Sequence, residues 1–469
     1  MKKAKILKIV ALSVAAAMSL SLFTGCGNKD TAKDKQGRTV ISVGEWPSKE
    51  GDELNRENEK KARFEEANKD VSIQPDVWKF DVKTFYAKAA GGKLPTLYNT
   101  NYTELSQVMA AGYSADLTEV LHKRGYDGML NKDVLEVVSK DGKIFSFPIS
   151  AYVQGLGYNT ELFEAAGLME PDGTPKQPKD WDEVVEFAVK IKEKTGKAGI
   201  VFPTINNAGG WIFTPLAWSF GTEFMKKDSD GKWKATFNSP ECAAALQYIK
   251  DLKWKYDVLP QNTIVDGEEF NKIFATGGAA MMITAGDIPR KVVQYGMTPD
   301  QLGIMAIPAG PKRHVTLLGG YSTSVKDNAT AEQIDAAVRW IEMGTNFRAT
   351  DEYKKNLQDS LEEQASKNQL IGIRSMSVWS QKAESVEFSN SMTDKYSNSN
   401  INHVKLYNNF VADCPAEIQA EEPVCAQELY VVLDGCIQKV LTDKDADCAA
   451  ILEKANAEFQ SNYLDNLDY

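Results

Sequence analysis

Residues 39–44, Thr39-Val40-Ile41-Ser42-Val43-Gly44, decide the fold class. The run is β-branched and apolar, too short for an ordinary helix, and it stops on a glycine. It therefore reads as a buried strand. Glu53 to Asn68 follows, highly charged and with helical spacing, and Val71-Ser72-Ile73 returns as a second strand. Val82 to Ala90 reads as a helix closed by Gly91-Gly92, because glycine enters the left-handed conformation at a helix end without steric cost. Thr96-Leu97-Tyr98 is a short third strand. Strand–helix–strand units in series predict an α/β fold, a mostly parallel sheet with helices on its faces.

Further along, Asp180 before Trp181-Asp182-Glu183 predicts a helix start in which Asp180 caps and Glu183 reaches back. Ser239-Pro240-Glu241 predicts a second start, with a capping serine and proline at the first helical position, and a helix to about Tyr256. Asp228-Ser229-Asp230-Gly231 reads as a hairpin turn. A calcium loop there fails on spacing, since its first and twelfth ligands would be Lys226 and Phe237. Ser389 to Asn402, dense in serine and asparagine, reads as a loop. Val424 to Tyr463 reads as two helices around Thr442-Asp443-Lys444-Asp445. No period of 20–50 residues repeats, which excludes a solenoid.

The chain has 469 residues, which at ~100–200 residues per domain fits two to four domains. Its formal charge is −11. That argues against a nucleic-acid or anionic-lipid binder, both of which need a basic face. The histidines are His122, His314 and His403, too far apart in sequence to suggest a multi-histidine metal site. Nothing in the sequence calls for a cofactor.

Lys2, Lys3, Lys5 and Lys8 precede the uncharged apolar stretch Ile9 to Phe23, the pattern of a secretory signal. The stretch ends Leu22-Phe23-Thr24-Gly25-Cys26, which resembles the lipobox of bacterial lipoproteins. That resemblance implies cleavage after residue 25 and a lipid on Cys26, which anchors the chain to the membrane. Ordinary secretion, with Cys26 incidental, is the alternative. Residues 26–37 are small, polar and charged and read as a flexible tether.

Several segments, in order, resemble the family 1 extracellular solute-binding proteins, the maltose-binding-protein-like receptors of ABC importers. They are Lys93 to Tyr98, Phe147-Pro148 with Gly157-Tyr158-Asn159-Thr160-Glu161-Leu162-Phe163, Pro178 to Val184, Phe274 to Asp287, and Ile307-Pro308-Ala309-Gly310-Pro311 with Gly319-Gly320-Tyr321. The resemblance covers roughly residues 38–345. It implies the type II periplasmic-binding-protein fold: two α/β lobes, a ligand cleft between them, and crossings near Pro148, Pro308 and Gly344. Lobe 1 would hold 38–148 and 309–345, and lobe 2 would hold 149–308 and 346–469. It implies a monomeric receptor, not an enzyme, that closes over a solute and passes it to a membrane permease.

A sugar offers hydroxyl edges and apolar C–H faces, so its site needs planar polar groups and aromatic rings at strand ends. Trp46, in Glu45-Trp46-Pro47 after the first strand, is a candidate, with packing at the strand end as the alternative. Asn101, after the third strand, contacts ligand or caps a helix. Tyr152 and Gln154 lie in the first crossover, Tyr152 at a position the resemblance marks for binding. Trp211 follows the glycine-rich Asn206-Asn207-Ala208-Gly209-Gly210, whereas Trp218 reads as core. Asp287 ends a strand where the resemblance places a binding residue, and its carboxylate accepts hydroxyl hydrogen bonds. Gly320 lets ligand approach the backbone, with Tyr321 as a stacking ring. Arg374 is a candidate, with an interlobe or surface role as the alternative. Trp181, Trp254 and Trp340 read as core.

Beyond Cys26 the chain has Cys242, Cys414, Cys425, Cys436 and Cys448, an odd number whose gaps match no zinc or iron–sulfur spacing. Cys414 and Cys425 flank prolines in irregular chain, where a disulfide is one option; the others read as small buried residues on helices. A surface glycoside hydrolase would need two carboxylates across a cleft, and Glu45 with Asp287 could supply them. No serine-nucleophile elbow, paired-histidine helix or Walker loop is present. A receptor for a peptide or polyamine is the remaining alternative.

Overall fold

The computed structural model describes residues 32–467, so the signal segment and Cys26 lie outside the described residues. The strands used below are β1 (Thr39–Val43), β2 (Val71–Pro75), β3 (Leu97–Asn101), β4 (Ser146–Asn159), β5 (Ala198–Ile200), β6 (Ala279–Ala285), β7 (Leu302–Ala306), β8 (Val315–Val325) and β9 (Glu417–Ala420). They form a sheet in the order β2-β1-β3-β8-β4-β6-β5, with β7 also on β4 and β9 also on β8. Pairing is parallel at both ends, β1 with β2 and β3, and β5 with β6. It is antiparallel in the middle, where β8 pairs with β3 and β4, and β4 with β6 and β7. The sheet is thus mixed where the sequence predicted mostly parallel, because the crossing strands β4 and β8 run opposite ways. The two-lobed α/β architecture is as expected: lobe 1 around β1–β3, lobe 2 around β5–β7, with β4 and β8 passing between.

The helices used below are α1 (Asp52–Ala67), α2 (Val82–Ala90), α3 (Tyr102–Ala110), α4 (Trp181–Thr195), α5 (Ala208–Phe220), α6 (Pro240–Trp254), α7 (Ile288–Val292), α8 (Ala331–Glu342), α9 (Asp351–Ser366), α10 (Glu384–Tyr396), α11 (Ile401–Asp413), α12 (Ala426–Thr442) and α13 (Cys448–Asn462). The predicted caps form. Asp180 Oδ1 accepts from the Glu183 amide at 2.9 Å, and Ser239 Oγ accepts from the Cys242 amide at 3.2 Å. Glu183 reaches back one residue further than expected, to the Lys179 amide at 2.9 Å. The Asp228 turn is a hairpin tip, its Oδ1 accepting from the Asp230 and Lys232 amides.

Three expectations are corrected, and the cysteine option is decided. Ser389 to Asn402 is mostly helical: α10 runs to Tyr396 and buries Val386 and Met392, and α11 begins at Ile401 behind the capping Asn400. Polar composition misleads there because tertiary burial of a few apolar residues overrides it. Trp254 is 37% exposed rather than core, its indole donating to the Val440 carbonyl at 2.8 Å. Residues 32–37 are not free tether. Asp34 Oδ1 accepts from the Gln36 and Arg38 amides, the Val40 amide donates to the Ala32 carbonyl, and Lys33 Nζ reaches Thr39 Oγ1 at 2.8 Å. All five described cysteines are free, Cys414 and Cys425 included.

Residues 346–396 do not pack as one block with lobe 2. Phe347 and Trp379 meet Tyr126 of lobe 1 at centroid distances of 4.8 and 5.9 Å, and Glu352 on α9 pairs with Arg63 on α1 at 2.9 Å. Leu370 instead joins the lobe 2 cluster with Phe270, Met282 and Ile288. The last two helices belong to lobe 2, where α12 packs on α5, α6 and α13.

Candidate functional site

Two adjoining cavities, one of about 250 Å³ between the lobes and one of about 110 Å³ in lobe 2 beside the crossing strand, share Tyr152, Ala208 and Trp211 in their walls. The first is faced from lobe 1 by Asn101 and Thr103 and from β8 by Gly320. Lobe 2 contributes Asn206, Asn207 and Trp211 at the start of α5, with Gln427 and Tyr430 of α12 and Glu421 just before it. The second is floored by the end of β6, Ile283 to Ala285, and flanked by Asp287 and Lys291.

The backbone holds Trp211 in place. Asn206 and Asn207 take positive φ values of 59° and 68°. The first amides of α5 then meet the carboxylate of Asp434 on α12: Asn207 N reaches Oδ2 at 2.7 Å and Gly210 N reaches Oδ1 at 2.8 Å. An anion at a helix N-terminus satisfies donors that have no intrahelical partner. A side chain at Gly210 would stand 2.4 Å from the Tyr430 Cα, so only glycine allows this approach of α5 to α12.

Tyr152 sits on β4 where the chain leaves lobe 1, and its ring fills the space that a Gly319 Cβ would need. Burial pushes its phenol pKa up, with Glu421 and Asp287 both acting on it in the same direction. Tyr152 thus stands within electrostatic reach of a carboxyl in each cavity. Glu421 is partly buried in the cavity wall, and burial raises its pKa to about 7 against hydrogen bonds from Thr103, Tyr430 and Trp211. The Tyr430 hydroxyl donates to Glu421 Oε1 at 2.9 Å, and the Thr103 hydroxyl donates to Oε2. Asp287 Oδ2 pairs with Lys291 Nζ at 3.0 Å, while its Oδ1 is buried with no hydrogen-bond partner among the described residues.

Asn101, Tyr152, Trp211, Asp287 and Gly320 are therefore brought together in the walls of these two cavities. The other candidates are not. Trp46 is 4% exposed and stacks on Trp340 at 6.1 Å, packing the strand end in the wall of a separate cavity on lobe 1. Gln154 is fully buried and lines neither cavity; its amide atoms have no hydrogen-bond partner among the described residues. Arg374 Nη2 donates to both carboxylate oxygens of Asp394 at 3.0 Å and lines neither cavity. Tyr321 lines a separate cavity on lobe 1. Glu45 and Asp287, the carboxylates weighed as a hydrolytic pair, line different cavities. Sequence reasoning missed Thr103, Glu421, Gln427 and Tyr430. Glu421-Glu422-Pro423, two carboxylates before a proline, was the one local signal available.

The sequence profile of the bacterial extracellular solute-binding protein family matches residues 48–347. The chain belongs to that family. It is 26% identical over 286 residues to a protein of Brucella abortus (strain 2308) named as a binding protein, the match covering 59% of this chain and 64% of that one. The chain thus matches just under two thirds of the length of that relative. It is 25% identical over 345 residues to the sn-glycerol-3-phosphate-binding periplasmic protein UgpB of Salmonella typhimurium, covering 70% of this chain and 74% of that one. Among solved structures, maltose-bound MalE3 of T. maritima superposes with a TM-score of 0.63 at 19% identity, over 90% of this chain and 99% of that one, a likeness of fold.

Proposed function

We propose that this chain captures a carbohydrate between its lobes and delivers it to an ABC permease. In this reading it is a monomer held at the outer face of the membrane by a lipid on Cys26. The observation that carries the reading is the meeting of Tyr152 and Trp211 with the polar groups of Asn101, Thr103, Asn207 and Gln427 across one interlobe cavity. Aromatic rings can cover the C–H faces of a sugar while amides and hydroxyls bind its edges. Ligand bound to both walls would favour the closed form, which the permease would read.

The name of the Salmonella relative raises a phosphate ester as a second cargo. A phosphate calls for cationic donors. Among the described residues lining the two cavities, Lys291 is the one cation, and Asp287 neutralises it. The charge of the cleft disfavours an anionic solute.

The test is a thermal-shift screen of the chain without residues 1–26 against sugars, glycerol phosphates, amino acids, peptides and polyamines. A ligand that binds only the folded state raises the melting temperature. A shift with one sugar class, lost in Trp211→Ala or Asp287→Ala, is expected. A shift with a glycerol phosphate, peptide or polyamine and with no sugar would overturn the substrate class.

A further inference from the structure

We propose that the meeting of the two lobes is linked to a proton: Glu421 of lobe 2 takes one up when it comes to rest against Thr103 and Glu104 of lobe 1, and gives it back when the lobes part. The proton is then a co-ligand of the closed form, whatever the cargo. The proposal takes from the receptor reading only that the lobes part and meet, and does not depend on the sugar.

Two hydrogen bonds cross between the lobes at this point. The Thr103 hydroxyl donates to Glu421 Oε2, and Gln427 Nε2 donates to Glu104 Oε1 at 2.8 Å. Thr103 and Glu104 are neighbours on α3 of lobe 1. Glu421 is fixed to lobe 2 by the Tyr430 hydroxyl at 2.9 Å, and by its neighbour Glu422, whose Oε1 accepts from the Trp218 indole at 3.0 Å. The contact therefore brings two carboxyls, one from each lobe, to a single boundary. Glu104 Oε2 is buried there with no hydrogen-bond partner among the described residues.

The charges at this boundary are of one sign. Glu104 faces Glu421 from α3, Tyr430 from α12 and Tyr152 from β4, while Glu428 of α12 and Tyr86 of α2 stand within electrostatic reach of Glu104. Arg313, which reaches the segment before Glu421, is engaged by Glu417 and Gln419. No lysine, arginine or histidine among the described residues lines the cavity that Glu421 borders. Burial, and the Glu104 carboxylate with it, push the Glu421 pKa up to about 7. Parting the lobes lets water reach Glu421, and its pKa returns toward the ordinary ~4.3. The hydroxyls of Thr103 and Tyr430 suit both forms, because a hydroxyl donates to a carboxylate and accepts from a carboxylic acid. The closed form thus has the raised pKa. Its advantage is full below about pH 4.3, falls about tenfold per pH unit up to about pH 7, and is level beyond.

The chain without residues 1–26, with no cargo added, is followed by small-angle X-ray scattering from pH 5.5 to 8.5. Glu421→Gln and Glu104→Gln are followed beside it, each checked for folding by circular dichroism. Difference potentiometric titration of wild type against Glu421→Gln reads the proton itself. The wild-type radius of gyration is expected to rise with pH and to level near pH 7, while Glu421→Gln holds one radius throughout. Glu104→Gln should move the rise to lower pH, a shift that a purely structural contact would not produce; it stands in should Glu421→Gln not fold. A Glu421 proton released near the ordinary ~4.3, or a rise that persists unchanged in the folded variants, overturns this inference and leaves the receptor reading intact. A proton released near pH 7 with a constant wild-type radius overturns this inference and, with it, the parting of the lobes that the receptor reading uses.

Discussion

Gln427 on α12 donates from Nε2 to Glu104 Oε1 on α3 at 2.8 Å, tying lobe 2 to lobe 1 beside the cleft. Glu104 is 7% exposed, and burial raises its pKa. Gln427→Ala would leave that carboxyl buried without this donor, at about 1–3 kcal/mol. A urea-denaturation midpoint lowered by that amount is expected; an unchanged midpoint would mean that water replaces the amide.

Glu421 and its neighbour Glu422 give stability a pH dependence. Burial is the leading cause that raises each pKa to about 7. In the unfolded chain a glutamate titrates near ~4.3, so the folded state holds protons that the unfolded state has released. The stability they contribute is fully present below about pH 4.3 and is lost as pH rises through about 7. Each accounts for a loss on the order of 3 kcal/mol. Calorimetric melting from pH 5 to 8 should therefore show a falling melting temperature, and Glu421→Gln or Glu422→Gln should flatten the fall. An equal slope in wild type and both variants would refute the assignment.

Gly320 tests the backbone of the cleft. Its φ is +154°, and an added Cβ would stand 2.1 Å from the Ser150 carbonyl oxygen and 2.6 Å from the Tyr102 ring. Gly320→Ala should cost about 3 kcal/mol or more, because backbone and ring must both move. Gly92→Ala, also at positive φ (+63°) but with nothing near the added carbon, should cost about 1 kcal/mol. Equal losses in chemical denaturation would show that the strand pair yields.

Lipidation of Cys26 is tested by cell fractionation. The wild-type chain is expected in the membrane fraction and Cys26→Ser in the medium or periplasm. Release of both forms would point to plain secretion.

Much of the framework was legible because it is local. The strand Thr39–Val43, the helix Val82–Ala90 and the cap at Ser239 form where residue pattern and punctuation placed them. In the candidate site, Asn101 and Asp287 were legible as candidates because each follows a strand pattern, Trp211 because it follows a glycine-rich stretch, and Tyr152 and Gly320 because they lie in the crossing segments. Glu421 was not, since it reaches the cleft only through the pairing of β9 with β8, more than 100 positions apart in the chain (Leu318 with Ala420). Trp46 stayed open between ligand contact and packing because a loop tryptophan reads the same whether or not another ring, here Trp340, waits beneath it.

The cleft is also ordered in time. Asn101 and Tyr152 come early in the chain, while Glu421, Gln427 and Tyr430 come within its last fifty residues. A polypeptide exported amino end first presents the first wall long before the second exists. Until the final helices arrive, Asp434 cannot cap α5, and Trp211 lacks the support it has in the finished molecule. A chain that stopped short of α12 would thus lack the Asp434 cap on α5 and the Glu421–Tyr430 wall, so the two sides of the cavity meet only in the completed molecule.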